Sequence, residues 1–188
     1  MTMSTSASCF RLLLASGLGL LSLARAAEIP TVGTVAPDFA LATLDGGRIR
    51  LSELNASETV VLVFLRGWVG YNCPMCDRQV NDFITSAPAF AAAHARLLFV
   101  YPGPADDLSA HAREFRSLKG RDWPADFVYA LDPDYSAVNA YALRWDAPKE
   151  TAYPSTFVLG PKGKVLFAKV SRTHGGRTTA AEVLPALP

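Results

Sequence analysis

The sequence predicts an α/β domain with a central sheet flanked by helices and an N-terminal β-hairpin extension. Three observations carry this expectation. Thr59–Leu65 (TVVLVFL) and Leu97–Tyr101 (LLFVY) are short apolar, β-branched runs of the kind buried on both faces of a sheet. Segments with helical apolar spacing alternate with such runs. Turn signals, Asp45-Gly46-Gly47 and Gly160-Pro161-Lys162-Gly163, bracket the alternating region at its two ends.

Taken in order, 40–44 and 48–51 form the first hairpin, with Gly supplying positive φ in the turn. Thr59–Leu65 is the first buried strand, and 66–72 is a loop with two glycines. A helix opens near Cys73-Pro74, because Pro is well tolerated at the first helical position. It runs through Val80, Phe83 and Ile84 toward Pro88. Leu97–Tyr101 is the second buried strand, closed by Pro102-Gly103-Pro104. A helix follows over 106–118, with Leu108, Phe115 and Leu118 inward. A third strand spans 127–131, ended by Asp132-Pro133-Asp134, and a short helix spans 135–143. Strands at 155–159 and 164–170 flank the second turn, and a last helix covers 178–187, frayed by Pro185.

Composition removes several function classes. Eighteen basic against seventeen acidic residues give a net charge of +1, which offers no electrostatic footprint for nucleic acid. Thirteen Gly and thirteen Pro are dispersed, so collagen-like, coiled-coil and disordered readings fail, and no repeat has a fixed period. Three cysteines are too few for a disulfide-stapled scaffold.

Residues 1–26 read as an export signal. Met1–Phe10 carries no acid, Arg11 supplies positive charge, and Leu12–Leu23 (LLLASGLGLLSL) is an apolar run too short to span a bilayer comfortably. Ala24-Arg25-Ala26 is an A-x-A cleavage pattern, so residues 27–188 are expected to form the mature domain. Cys9 precedes the apolar run, which excludes a lipoprotein reading. Cleavage would remove Cys9, Arg11 and Arg25 and leave two cysteines, Cys73 and Cys76.

That pair, Cys73-Pro74-Met75-Cys76, follows a buried strand and starts a helix. Unpaired N–H groups and the macrodipole at a helix N-terminus favour a thiolate on Cys73. Cys76, one turn on and more covered, is near enough to attack a mixed disulfide and release the partner. Zinc sites also use CxxC but want a second ligand pair, and this chain offers only His94, His111 and His174. The residues favour a redox pair over a metal site or an inert disulfide.

APDFALATLDGGRIRLSELNASETVVLVFL, FLRGWVGYNCPMCDRQV and AYPSTFVLGPKGKV resemble the redoxins, the alkyl hydroperoxide reductase/thiol-specific antioxidant, peroxiredoxin-like branch of the thioredoxin-fold superfamily. The resemblance runs from Ala36 to Leu187 and implies a thioredoxin-like central mixed sheet flanked by helices. It implies that Cys73, nine residues after Phe64, is the reactive cysteine and Cys76 the second cysteine of a thioredoxin-type pair. It also implies that Pro154 is the cis-proline facing them, since a cis X–Pro bond costs only about 0.5–1 kcal/mol.

The departures from peroxiredoxins are specific. Arg66, Gly70 and Pro154 stand where that family has a Pro, a Thr and an Arg, groups that bind the peroxide and stabilise charge. Arg66 either reaches the site and supplies the missing cation or is a solvated loop residue. Trp68 and Tyr71 could flank the pair as an apolar platform or simply pack. Met75 invites soft metals or packs. His174, in the polar loop 171–177, is a further candidate contact. Asp77 and Arg78 act in opposite directions on a Cys76 thiolate.

The expectation is thus an exported thiol-disulfide oxidoreductase, periplasmic or secreted, with Cys73 as nucleophile, Cys76 as resolving thiol, and Pro154 and Arg66 shaping the site. It requires no cofactor and no metal. Its partners are a protein thiol or disulfide and a thiol reductant protein, with no nucleic acid and no stable membrane insertion after signal removal. The alternative is a thiol-dependent peroxidase reducing hydroperoxides, with Cys73 peroxidatic and Cys76 resolving. Copper-delivery proteins of this fold use CxxxC with a distant His, and the spacing here is one residue short.

Overall fold

The computed structural model describes residues 26–188, so most of the export signal expected at 1–26 lies outside the described residues. A seven-stranded mixed sheet runs in the order β2-β1-β5-β4-β3-β6-β7. Its strands are β1 (Ala40–Thr43), β2 (Arg48–Arg50), β3 (Thr59–Phe64), β4 (Ala95–Pro102), β5 (Phe127–Asp132), β6 (Ser155–Leu159) and β7 (Val165–Val170). β4 pairs parallel with β3 and β5, and the other pairings are antiparallel. Every residue of β3 is buried, as its unbroken apolar run requires.

Strand pleating assigns the two sides of the core. Val61, Val63, Leu97, Phe99 and Tyr101 face one layer, whereas Val60, Leu62, Phe64, Leu98 and Val100 face the other. The first layer is covered by α2 (Pro74–Thr85), α3 (Ala87–Ala92), α4 (Leu108–Ser117) and α6 (Ala180–Val183). The second is covered by α1 (Leu51–Leu54) and α5 (Ser136–Ala140). Among the described residues, no helix is long and apolar enough to cross a membrane.

The structure departs from the sequence expectation at element ends. Leu51 is not the end of a strand but the start of α1, because the Asp38 carboxylate accepts from the Ser52 N–H at 2.9 Å and from its hydroxyl at 2.9 Å. Pro88 does not stop the helical run. The chain breaks at Ser86 (φ −91°, ψ 4°), and Pro88 sits in the first turn of α3, where its missing N–H has no helical partner to lose. The helix expected over 135–143 shrinks to α5, bounded by left-handed Tyr135 and Ala142. The last helix is the short α6, held by the reciprocal capping box of Thr179 and Glu182, and continues as a 3₁₀ turn over Leu184–Ala186. Gly46, at φ +89°, makes the first hairpin turn as read.

Candidate functional site

The site is built where β3 ends. Past Phe64 the chain turns through Arg66 and Gly67, and the Trp68 N–H donates to the Pro102 carbonyl at 2.9 Å. Gly67 lies at φ +71°, and a Cβ there would stand 1.8 Å from the Pro102 oxygen. Gly67→Ala is therefore expected to lose at least about 2 kcal/mol of stability in denaturant unfolding, from left-handed strain and the clash together. The loop delivers Cys73 as the N-cap of α2, with Pro74 as its first residue and the Cys73 carbonyl accepting from the Asp77 N–H at 3.1 Å.

Both cysteines are free thiols and buried, Cys73 at 3% and Cys76 at 1% exposure. The Cys73 thiol is pulled down to about 4. The Cys76 thiol hydrogen-bonds its sulfur. Burial opposes the shift, while the backbone N–H groups of Cys76 and Met75 and the positive charge of Arg177 support it. Burial and the adjacent Cys73 push Cys76 well above the ordinary thiol range. The pair therefore divides into one thiolate and one thiol, in the sense the helix position predicts.

Arg66 is 3% exposed and belongs to the site rather than to solvent. Its guanidinium holds Glu150 in a bidentate pair, Nε to Oε2 at 2.5 Å and Nη2 to Oε1 at 2.8 Å. It also donates to the Lys149 carbonyl at 3.0 Å and to the Tyr71 hydroxyl at 2.7 Å. Burial works against its charge, but the hydrogen bonds to Glu150, Tyr71 and Cys73 outweigh it and raise the group. The Thr151 hydroxyl donates to the Arg66 carbonyl, locking the loop to the segment before β6.

Pro154 is the correction. The Tyr153–Pro154 bond is trans, and no peptide is cis among the described residues. The trans isomer is intrinsically favoured by about 0.5–1 kcal/mol, and here it leaves the neighbouring groups paired. The Tyr153 N–H donates to the Leu143 carbonyl and the Ser171 N–H to the Pro154 carbonyl, both at 2.9 Å. Since Phe64 pairs with Ser155, Pro154 lies beside the chain leaving β3, at the same end of the sheet as the cysteines.

Two residues of the site carried no local signal. Arg177 reaches back from the loop before α6, with Nη2 3.6 Å from the Cys73 sulfur and Nη1 3.4 Å from Gln79 Oε1. Glu150 anchors Arg66 and also meets His174, whose Nε2 is 2.8 Å from Oε1. His174 thus touches Glu150. Trp68 stacks on His111 at 3.6 Å. Asp77 is held by Arg121 and by Lys119, so its charge is locally balanced, while Arg78 donates weakly to the Met75 sulfur at 3.9 Å. Arg177→Gln is expected to raise the Cys73 inflection by about one unit, a tenfold loss of reactivity below it. The pH dependence of alkylation measures this.

The chain matches the AhpC/TSA family over residues 32–168. It is 28% identical over 134 residues to thiol-disulfide oxidoreductase ResA of Bacillus subtilis (strain 168), covering 71% of this chain and 64% of that protein. It is 27% identical over 134 residues to ResA of Geobacillus thermodenitrificans (strain NG80-2), covering 71% of this chain and 66% of the relative. The match thus spans slightly less than two thirds of either relative. In backbone it resembles the peroxidoxin BcpB of Mycobacterium tuberculosis, with TM-score 0.64 at 23% identity, covering 83% of this chain and 95% of that one.

Proposed function

Because this chain belongs to the AhpC/TSA family, we propose that it is an exported thiol-disulfide oxidoreductase whose Cys73–Cys76 pair cycles between dithiol and disulfide. The observation that carries the reading is the asymmetry of the pair: a thiolate favoured at the α2 N-terminus beside Arg177, and a neutral thiol one turn deeper. Cys73 attacks a partner disulfide, Cys76 attacks the resulting mixed disulfide, and the partner leaves as a thiol. Arg66 and Arg177 steady the Cys73 charge, and Pro154 flanks the site. The names of the curated relatives support this chemistry. Export rests on the apolar run Leu12–Leu23 with Ala24-Arg25-Ala26, and N-terminal sequencing of protein from the cell envelope tests it.

The reduction potential of the pair is the deciding measurement. A stabilised Cys73 thiolate favours the reduced form, so the potential is expected above the roughly −270 mV of thioredoxin, on the oxidising side. A value below about −300 mV would mark a structural disulfide and overturn the proposal. One observation favours a peroxidase as the second reading: two guanidiniums, Arg66 and Arg177, act on Cys73, as charge stabilisation in peroxide cleavage requires. Stopped-flow oxidation of the reduced protein by hydrogen peroxide separates the two.

A further inference from the structure

His174 joins the two guanidiniums of the site through hydrogen bonds. Its Nε2 is 2.8 Å from Glu150 Oε1, and the same carboxylate grips Arg66. A carboxylate only accepts, so Nε2 carries the proton in this contact. The main-chain carbonyl of His174 accepts from Arg177 Nε at 3.2 Å, and Nη2 of that guanidinium lies 3.6 Å from the Cys73 sulfur. A path of contacts thus runs from the chain leaving β3 through Arg66, Glu150, His174 and Arg177 to Cys73.

The two ends of this path differ in stiffness. Arg66 is buried and paired with Glu150 through two hydrogen bonds, so the carboxylate is a fixed point. Arg177 stands on a polar loop between β7 and α6, and Gly175 and Gly176 separate it from His174. Gly176 lies at φ +67°, and two glycines in a row leave the backbone free to carry Arg177 elsewhere. The loop is tied at its start by the Ser171 N–H on the Pro154 carbonyl at 2.9 Å, and at its end by the Gln79 amide on the Thr178 carbonyl at 3.1 Å. The Ser171 hydroxyl donates to the Thr173 and Gly175 carbonyls, which folds the turn on itself without tying it to the site. Between these ends Arg172 rests over the Tyr153 ring and the His174 imidazole reaches Glu150, with Trp145 beside it at 5.2 Å. An ion pair between two mobile surface side chains contributes little. Here one member is immobilised, so the contact sets a position.

We propose that His174 is a positioning residue for the Cys73 nucleophile: its imidazole, held by Glu150, fixes the loop from which Arg177 reaches the Cys73 sulfur. The inference rests on the reading of Cys73 as the attacking thiolate. His174 acts through Arg177, whose positive charge helps to lower Cys73. The other groups that lower it are the Cys76 thiol and the N–H groups of Cys76 and Met75, all on α2. Arg177 is therefore the stabilising group that depends on the loop for its place.

The test is the pH dependence of iodoacetamide alkylation of the reduced protein, mapped to Cys73 by mass spectrometry. His174→Ala is expected to raise the Cys73 inflection by about half a unit, roughly a threefold loss of rate below it. The shift is smaller than for Arg177→Gln because Gln79, 3.4 Å from Arg177 Nη1, still holds the loosened guanidinium. His174→Gln, whose amide can donate to Glu150 from a similar reach, should restore the wild-type inflection. In the Arg177→Gln background His174→Ala should add nothing, since the loop then has no guanidinium to deliver. An inflection unaltered by His174→Ala, or a shift of the same size with Arg177→Gln already in place, overturns the inference. A wild-type inflection in the ordinary thiol range of about 8.5, or labelling of Cys76 before Cys73, overturns instead the reading of Cys73 beneath it.

Discussion

Replacing Cys73 with Ser should abolish disulfide exchange, with an expected loss of at least about 1000-fold, the scale on which removal of a nucleophile is felt. Serine keeps the N-cap geometry and the approach of Arg177, so a folded but inert protein isolates the sulfur's contribution. Cys76→Ser has a different outcome. Cys73 still attacks, but nothing resolves the product, and the mixed disulfide accumulates as a partner adduct visible by mass spectrometry. The roles are exchanged if the adduct is trapped on Cys76 in the Cys73→Ser protein. Because Cys73 is held down to about 4, alkylation of the wild type should lose its rate only as pH falls through that value, well below the ordinary thiol range of about 8.5. Burial of the sulfur at 3% exposure slows large reagents, so the inflection and not the absolute rate carries the information.

Glu150→Ala should be the most destabilising single change at the site, by about 3–5 kcal/mol in denaturant unfolding, because it strands a buried guanidinium. Arg66 would retain the Tyr71 hydroxyl, the Lys149 carbonyl and the Cys73 sulfur as acceptors, with no carboxylate to balance its charge. The pH dependence follows from the carboxylate. Burial acts to raise Glu150, but the hydrogen bonds from Arg66 and His174 more than offset it, and the group lies below its ordinary value. A carboxyl depressed in the folded state adds stability that is complete above its unfolded value, about 4.3, and is lost as pH falls through the folded value. The gap in stability between wild type and Glu150→Gln should accordingly narrow below about pH 4. A gap that stays constant into that range would mean that the carboxylate charge contributes little.

The contrast between these two predictions traces what could be read along the chain. Cys73 and Cys76 are three residues apart, and Pro74 at the start of α2 announces the helix whose first N–H groups help to lower Cys73. Arg66 lies close enough in sequence to be suspected, although only the fold distinguishes its buried pairing from a solvated loop position. Arg177 is 104 residues from Cys73, and Glu150 is 84 from Arg66. Nothing in the polar loop SRTHGGR distinguishes a guanidinium aimed at sulfur from one in water.

The strands and the placing of the CxxC pair at a helix start are legible along the chain, since both are local. A seven-residue β-branched run has to be buried on two faces, and CxxC at a strand-to-helix junction has to place one sulfur on the helix dipole. The trans state of Pro154, the break at Ser86, the Arg66–Glu150 clamp and the unpaired hydroxyls of the buried tyrosines emerge only in the assembled fold. A proline's isomer turns on less than about 1 kcal/mol, well within what a few surrounding hydrogen bonds can tip. Buried charges and hydroxyls take their partners from distant segments that meet only after the sheet has assembled, so no window along the chain contains the groups that fix them.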